Sequence, residues 1–176
     1  REARALWAAL GVFGLVLLRL LFLDSWMYPS ADAYTTLWNA RFLTFLISTA
    51  CLWLAAAWIR EAPMAGAPYV GGHFVLLWSL LLEAVGWAAR SVSGEDLPSI
   101  RSLLVTILMA AYGVLLVGAG VWTRLPLNRL LGLGLIALVM LKLYLSDVWL
   151  LARVYRIAAF SVLGALLLFT SYLYSR

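Results

Sequence analysis

Apolar runs of about 16 to 21 residues alternate with short polar breaks along the whole chain. A bilayer core about 30 Å thick is crossed by about 20 helical residues, each rising about 1.5 Å. Six runs fit that length and predict transmembrane helices over residues 5–23, 42–59, 70–89, 102–122, 130–145 and 157–174. The punctuation agrees: Arg41 and Arg60 bracket the second run, Arg90 ends the third, and Arg101 and Arg124 bracket the fourth. Pro29, Pro63, Pro68 and Pro126 fall in the breaks, where a missing N–H is tolerated. The connection DVWLLARVY between the last two runs is the weakest boundary, and an interfacial helix is the alternative there.

The pattern repeats. The first run closes on Arg19-Leu-Leu-Phe-Leu-Asp24-Ser-Trp26 and the fifth on Lys142-Leu-Tyr-Leu-Ser-Asp147-Val-Trp149. In both, a base precedes an acid by five residues and a Trp follows the acid by two. The helices that follow open with Arg41-Phe-Leu-Thr-Phe45 and Arg156-Ile-Ala-Ala-Phe160. Glu83 and Arg101 form a looser middle copy. The expected fold is all-α and integral to the membrane: one transmembrane bundle over residues 1–176, with three pseudo-repeated helical hairpins, each ending one helix on an acid and opening the next on an arginine.

Composition decides the solvent. Apolar residues make up 65% of the 176 residues and charged ones 12%, against about 45–50% and about 25% in soluble domains. With a mean hydropathy of +0.99, lipid must wet much of the surface. That apolarity excludes a soluble domain and a disordered chain, and a nucleic-acid module is excluded because the 13 bases behind the net charge of +5 are scattered singly. Cys51 is the lone cysteine, so no intrachain disulfide can form and the chain is not a disulfide-stapled domain. The first residue is Arg1 and no signal peptide opens the chain, so a piece of a longer protein, or a processed product, is expected.

Six spans put both termini on one face, with Arg1, Arg4, Arg60, Arg124, Arg129 and Arg176. Five bases lie in or next to the opposite, hairpin loops, with Arg19 and Lys142 inside spans. The excess of bases places the termini in the cytoplasm. Trp26, Trp87 and Trp149 at one border and Trp122 at the other are expected to anchor helix depth, as aromatic belts do.

The rare charges carry the chemistry. Acids at helix C-termini and arginines at N-termini oppose the helix dipole, and here Asp24, Glu83 and Asp147 close helices while Arg41, Arg101 and Arg156 open them. A local rule broken repeatedly suggests compensating partners. Arg19 and Asp24 are poor partners in an α-helix, where five residues leave them about 140° apart, and the same holds for Lys142 and Asp147. Three readings stand side by side. The charges sit in wet headgroups, with the two intramembrane bases snorkelling. Or they pair and lock the helices. Or the six end charges line a polar cavity at the hairpin face, since ionisable groups in a bilayer are functional candidates. Glu83 and Asp147 lead that third reading.

Other residues are plainer. His73 is expected to be a satisfied or border histidine rather than a proton relay, and Cys51 a small mid-span packer. Gly113, Gly118, Gly120, Gly132 and Gly134 are expected at close helix contacts. No histidine–cysteine spacing suggests a metal site, no nucleotide or hydrolase motif is present, and no cofactor is implied.

The run Leu141-Lys142-Leu-Tyr-Leu-Ser-Asp147, then Tyr155-Arg156-Ile157, Ser161-Val-Leu-Gly164 and Ser171-Tyr-Leu-Tyr174, resembles the close of a bacterial family known as domain of unknown function 2339. That family ends in K-x-F-x-x-D, R-I-x-S-F-x-x-L-G and S-Y-L-Y. Tyr144 takes the aromatic position here, and Ala159 replaces the small polar residue before Phe160. Residues 37–45 and the Glu83 helix are similar to upstream spans of the family. The resemblance implies the C-terminal six-span part of a larger protein of the bacterial cytoplasmic membrane and brings no activity with it. Two functions remain. One is a non-enzymatic scaffold, assembly partner or transport module for envelope components, whose partners are the bilayer, the rest of a longer chain or other membrane subunits. The other is an intramembrane enzyme or carrier for a lipid-linked or anionic substrate at the hairpin face. No span has a mid-span Pro or double-Gly break, which counts against alternating access.

Overall fold

A computed structural model describes residues 11, 13–26, 35–59, 62–92, 94, 96–147 and 153–175. Side chains at 62–64, 146, 147, 153 and 173–175 lie outside the description. Every regular element among the described residues is helical. Helix α1 covers residues 13–24 and ends in a π-helical turn, Leu20–Asp24. Then come α2 (Ala40–Trp58), α3 (Ala62–Ser91), α4 (Leu97–Trp122), α5 (Pro126–Lys142), a second π turn (Leu143–Asp147) and α6 (Arg153–Ser175). Five of these are long and apolar enough to cross a membrane, α5 together with the start of its π turn. Residues 5–10 and 12 of the predicted first span lie outside the described residues, as does the segment 148–152 of the connection before α6.

The helices overrun the predicted spans wherever their ends can be satisfied. α3 begins at Ala62, so Pro63 and Pro68 belong to the helix rather than to a loop. Pro63 falls in the first turn, which needs no N–H partner. α4 starts at Leu97 with Pro98 in its first turn, five residues before the expected boundary. α5 starts at Pro126. Two of the expected end charges are interior: Glu83, already within its expected span, stands eight residues before the end of α3, and the early start of α4 puts Arg101 in its second turn. Apolarity marks the lipid-immersed stretch, whereas the hydrogen-bonded ladder runs on into polar sequence.

The described residues cluster into two compact units, with the boundary inside α3 between Leu82 and Glu83. In the first, α2 buries Phe45, Ser48, Thr49 and Leu52, a single stripe at helical spacing. Leu20 of α1 and Val75 of α3 complete that core. Gly72 lets the α3 backbone lie on the Trp53 indole, where a Cβ would collide. Cys51 is exposed rather than packed, because it falls beside the buried stripe.

In the second unit α4 buries Thr106, Ala110, Gly113, Val117 and Gly120, one face at spacings of three and four. It packs on Gly132, Ile136 and Val139 of α5 and, with Val139, on Ala159 and Leu163 of α6. A Cβ on Gly132 would stand 2.6 Å from the Gly113 carbonyl oxygen, and one on Gly120 2.7 Å from the Arg129 nitrogen. Those glycines make the close contacts expected of them. Gly134 does not: it faces open space. The opposite faces carry large apolar side chains outward, Leu115, Leu130 and Leu168 among them, as lipid-facing surfaces do.

Candidate functional site

Arg19 and Asp24 form an ion pair, Nε to Oδ2 at 3.7 Å, contrary to the expectation drawn from α-helical spacing. The π turn is the reason. Its bonds run from residue i to i+5, which stacks positions five apart on one side of the axis. The Ser25 N–H reaches back to the Leu20 carbonyl at 3.0 Å, and its hydroxyl donates to the same oxygen at 2.9 Å. The Trp78 indole N–H of α3 in turn donates to Ser25 Oγ at 2.9 Å, so a buried serine ties the π turn to α3. Spacing alone did not disclose Ser25 and Trp78, whose sequence separation is 53.

Arg41 stands in the first turn of α2. Asn39 caps that helix by accepting from the Phe42 N–H at 2.8 Å. Arg19, Asp24, Arg41 and Thr44 share a groove of about 460 Å³ with the apolar Val16 and Leu20. Two predicted end charges, Asp24 and Arg41, are thus brought together with one predicted intramembrane base. Thr44 spends its hydroxyl hydrogen on the Ala40 carbonyl at 2.7 Å.

In the second unit Lys142 is held by the neighbouring helix. Its Nζ donates to Ser102 Oγ and to Thr106 Oγ1, each at 2.9 Å, across the α4–α5 contact. Thr106 is 2% exposed and also donates to the Ser102 carbonyl. The signal for this pair was legible: two hydroxyl residues four apart, just after Arg101, mark one face of an otherwise apolar helix. Glu83 is 3% exposed and partnered. Arg101 Nε is buried with no hydrogen-bond partner among the described residues. Arg156, the fourth residue of α6, is half-buried and partnered. The Asp147 side chain lies outside the described residues, although its backbone closes the second π turn at the position Asp24 holds in the first.

Of the border tryptophans, Trp26, Trp87 and Trp122 are exposed, and Trp149 lies outside the described residues. His73 packs its ring against Trp53 at 5.1 Å and edge-on to Tyr69 at 4.8 Å between centroids. Among the described residues no three acidic, histidine or cysteine side chains gather as a metal site would require.

A family model described as "Predicted membrane protein (DUF2339)" matches residues 1–176. Neither the curated proteins nor the solved structures contain a match.

Proposed function

We propose a non-catalytic role for this chain, which belongs to the DUF2339 family of predicted membrane proteins: an integral scaffold or assembly module for envelope components, with its intramembrane charges serving to hold helices together. The observation that carries this reading is the grip on Lys142. A catalytic or transporting lysine needs a path to substrate, whereas here two of its donors are occupied by Ser102 and Thr106 of the neighbouring helix.

The full module in this reading is a six-span unit of the bacterial cytoplasmic membrane with cytoplasmic termini, built from three related hairpins. The two π turns support the relationship, since each follows a base by one residue and closes on an acid, at Leu20–Asp24 and Leu143–Asp147. Single cysteines introduced at residues 32, 94 and 150 in a Cys51→Ala background should all react with a membrane-impermeant maleimide from outside the inner membrane. Reaction of any one from the cytoplasmic side alone breaks the three-hairpin topology.

The scaffold reading is tested with Lys142→Met. The expected result is a parallel fall in the thermal stability of the purified protein and in its level in the membrane. A variant of unchanged stability and level that nevertheless abolishes the cellular phenotype would assign Lys142 to catalysis or transport instead.

A further inference from the structure

The groove of the first unit combines charged and apolar lining. It gathers two guanidinium groups and one carboxylate beside apolar walls. Arg19 keeps 72% of its side chain exposed while paired, so its remaining N–H donors are available to a ligand. Arg41 enters from the first turn of α2, where the helix dipole adds positive potential. The volume of about 460 Å³ falls within the range of about 300–1,000 Å³ typical of small-ligand sites. Val16 lines the same groove and, like its neighbour Leu15, is exposed.

We infer that this groove binds a phosphate group, held between Arg19 and Arg41, with Asp24 as a built-in competitor. Guanidinium forks match both carboxylate and phosphate, and a phosphate offers enough oxygens to engage two of them at once. The ligand class is an anionic phospholipid. The polar end of the groove takes the phosphodiester, and Val16 with exposed Leu15 continues toward the acyl region. Because Asp24 engages Arg19 at 3.7 Å, longer than a good charge-assisted hydrogen bond of about 2.7–2.9 Å, the pair can yield Arg19 to a better acceptor. This site does not depend on the role of Lys142.

The test is native mass spectrometry of the detergent-purified chain titrated with dioleoylphosphatidylglycerol, dioleoylphosphatidylcholine or inorganic phosphate. The expected result is one phosphatidylglycerol bound about tenfold more tightly than phosphatidylcholine, with the preference removed in Arg19→Gln and in Arg41→Gln. Asp24→Asn removes the competitor and should tighten phosphatidylglycerol binding about threefold or more, a gain that misfolding cannot mimic. Displacement of phosphatidylglycerol by millimolar inorganic phosphate supports the phosphate site and adds a soluble source for it. Equal binding of the two lipids overturns the proposal. So does an Asp24→Asn variant of intact helicity that binds phosphatidylglycerol no better than the unaltered chain.

Discussion

The Trp78 indole N–H donates to the Ser25 hydroxyl at 2.9 Å, and that hydroxyl donates in turn to the carbonyl of Leu20, the first residue of a π turn. A contact between distant segments thus secures a local winding fault, and the fault brings Arg19 within 3.7 Å of Asp24. The second π turn occupies the corresponding place after Lys142.

Removing the Ser25 hydroxyl should loosen this joint. Ser25 is 2% exposed, so Ser25→Ala leaves the Trp78 N–H without its acceptor, at a cost of about 1–2 kcal/mol. Thermal unfolding in detergent is the measurement. Trp78→Phe in the Ser25→Ala background should lose less than Trp78→Phe alone, since the two share one bond.

Lys142 and Thr106 should be energetically coupled. A double-mutant cycle of Lys142→Met and Thr106→Val is expected to show about 0.6 kcal/mol of interaction, the average for hydrogen bonds between membrane helices, and at most about 1.7 kcal/mol. Zero coupling would mean that the 2.9 Å contact contributes nothing to helix association.

Two glycines two residues apart on α5 should respond in opposite ways. Gly132→Ala places a methyl 2.6 Å from the Gly113 carbonyl oxygen and 2.8 Å from the Val117 nitrogen. Backbone atoms cannot swing aside, so α4 and α5 must separate, and a loss of about 1–3 kcal/mol or more is expected. Gly134 faces open space, so Gly134→Ala should be neutral or stabilising by up to about 1 kcal/mol through helix propensity. Comparing the melting temperatures of the two variants checks both statements.

Arg124 turns the chain between α4 and α5 at φ 58°, in the left-handed region. The strain of a side chain there is about 1–2 kcal/mol per residue, and glycine avoids it. Arg124→Gly should therefore raise thermal stability, by somewhat less than that amount because the unfolded chain also gains freedom. A fall in melting temperature would show that the arginine side chain contributes more than the backbone strain costs.

Much of the fold was legible because lipid leaves the backbone few options. Without water, an apolar run must satisfy its N–H and C=O groups internally, so run length translates directly into helix. Five of the six expected spans correspond to helices of sufficient length among the described residues. Glycines at 113, 120 and 132 announced a close crossing for the same reason, since small residues are what lets membrane helices approach.

Periodicity could not say where helices end or which face of each turns inward. α4 begins five residues before its apolar stretch, its first-turn proline needing no donor, which leaves Arg101 in the helix interior, and α3 runs on to Ser91, eight residues past Glu83. Gly134 and Cys51 look like packing residues by composition, yet they fall beside the stripes that the neighbouring helices cover.

The charges divide along the same line. That bases and acids recur five apart before a tryptophan is a property of the sequence, as is their rarity among apolar neighbours. Whether five residues separate two side chains or join them depends on the winding between them. α and π turns differ by a single hydrogen-bond register, and the contact of Trp78 with Ser25 favours the π form in α1. Lys142 likewise acquires its role only from the approach of α4, which places Ser102 and Thr106 at its ammonium group. Local sequence determines the helices and their solvent. Tertiary packing decides which of the few charges meet, because those meetings depend on register and helix face.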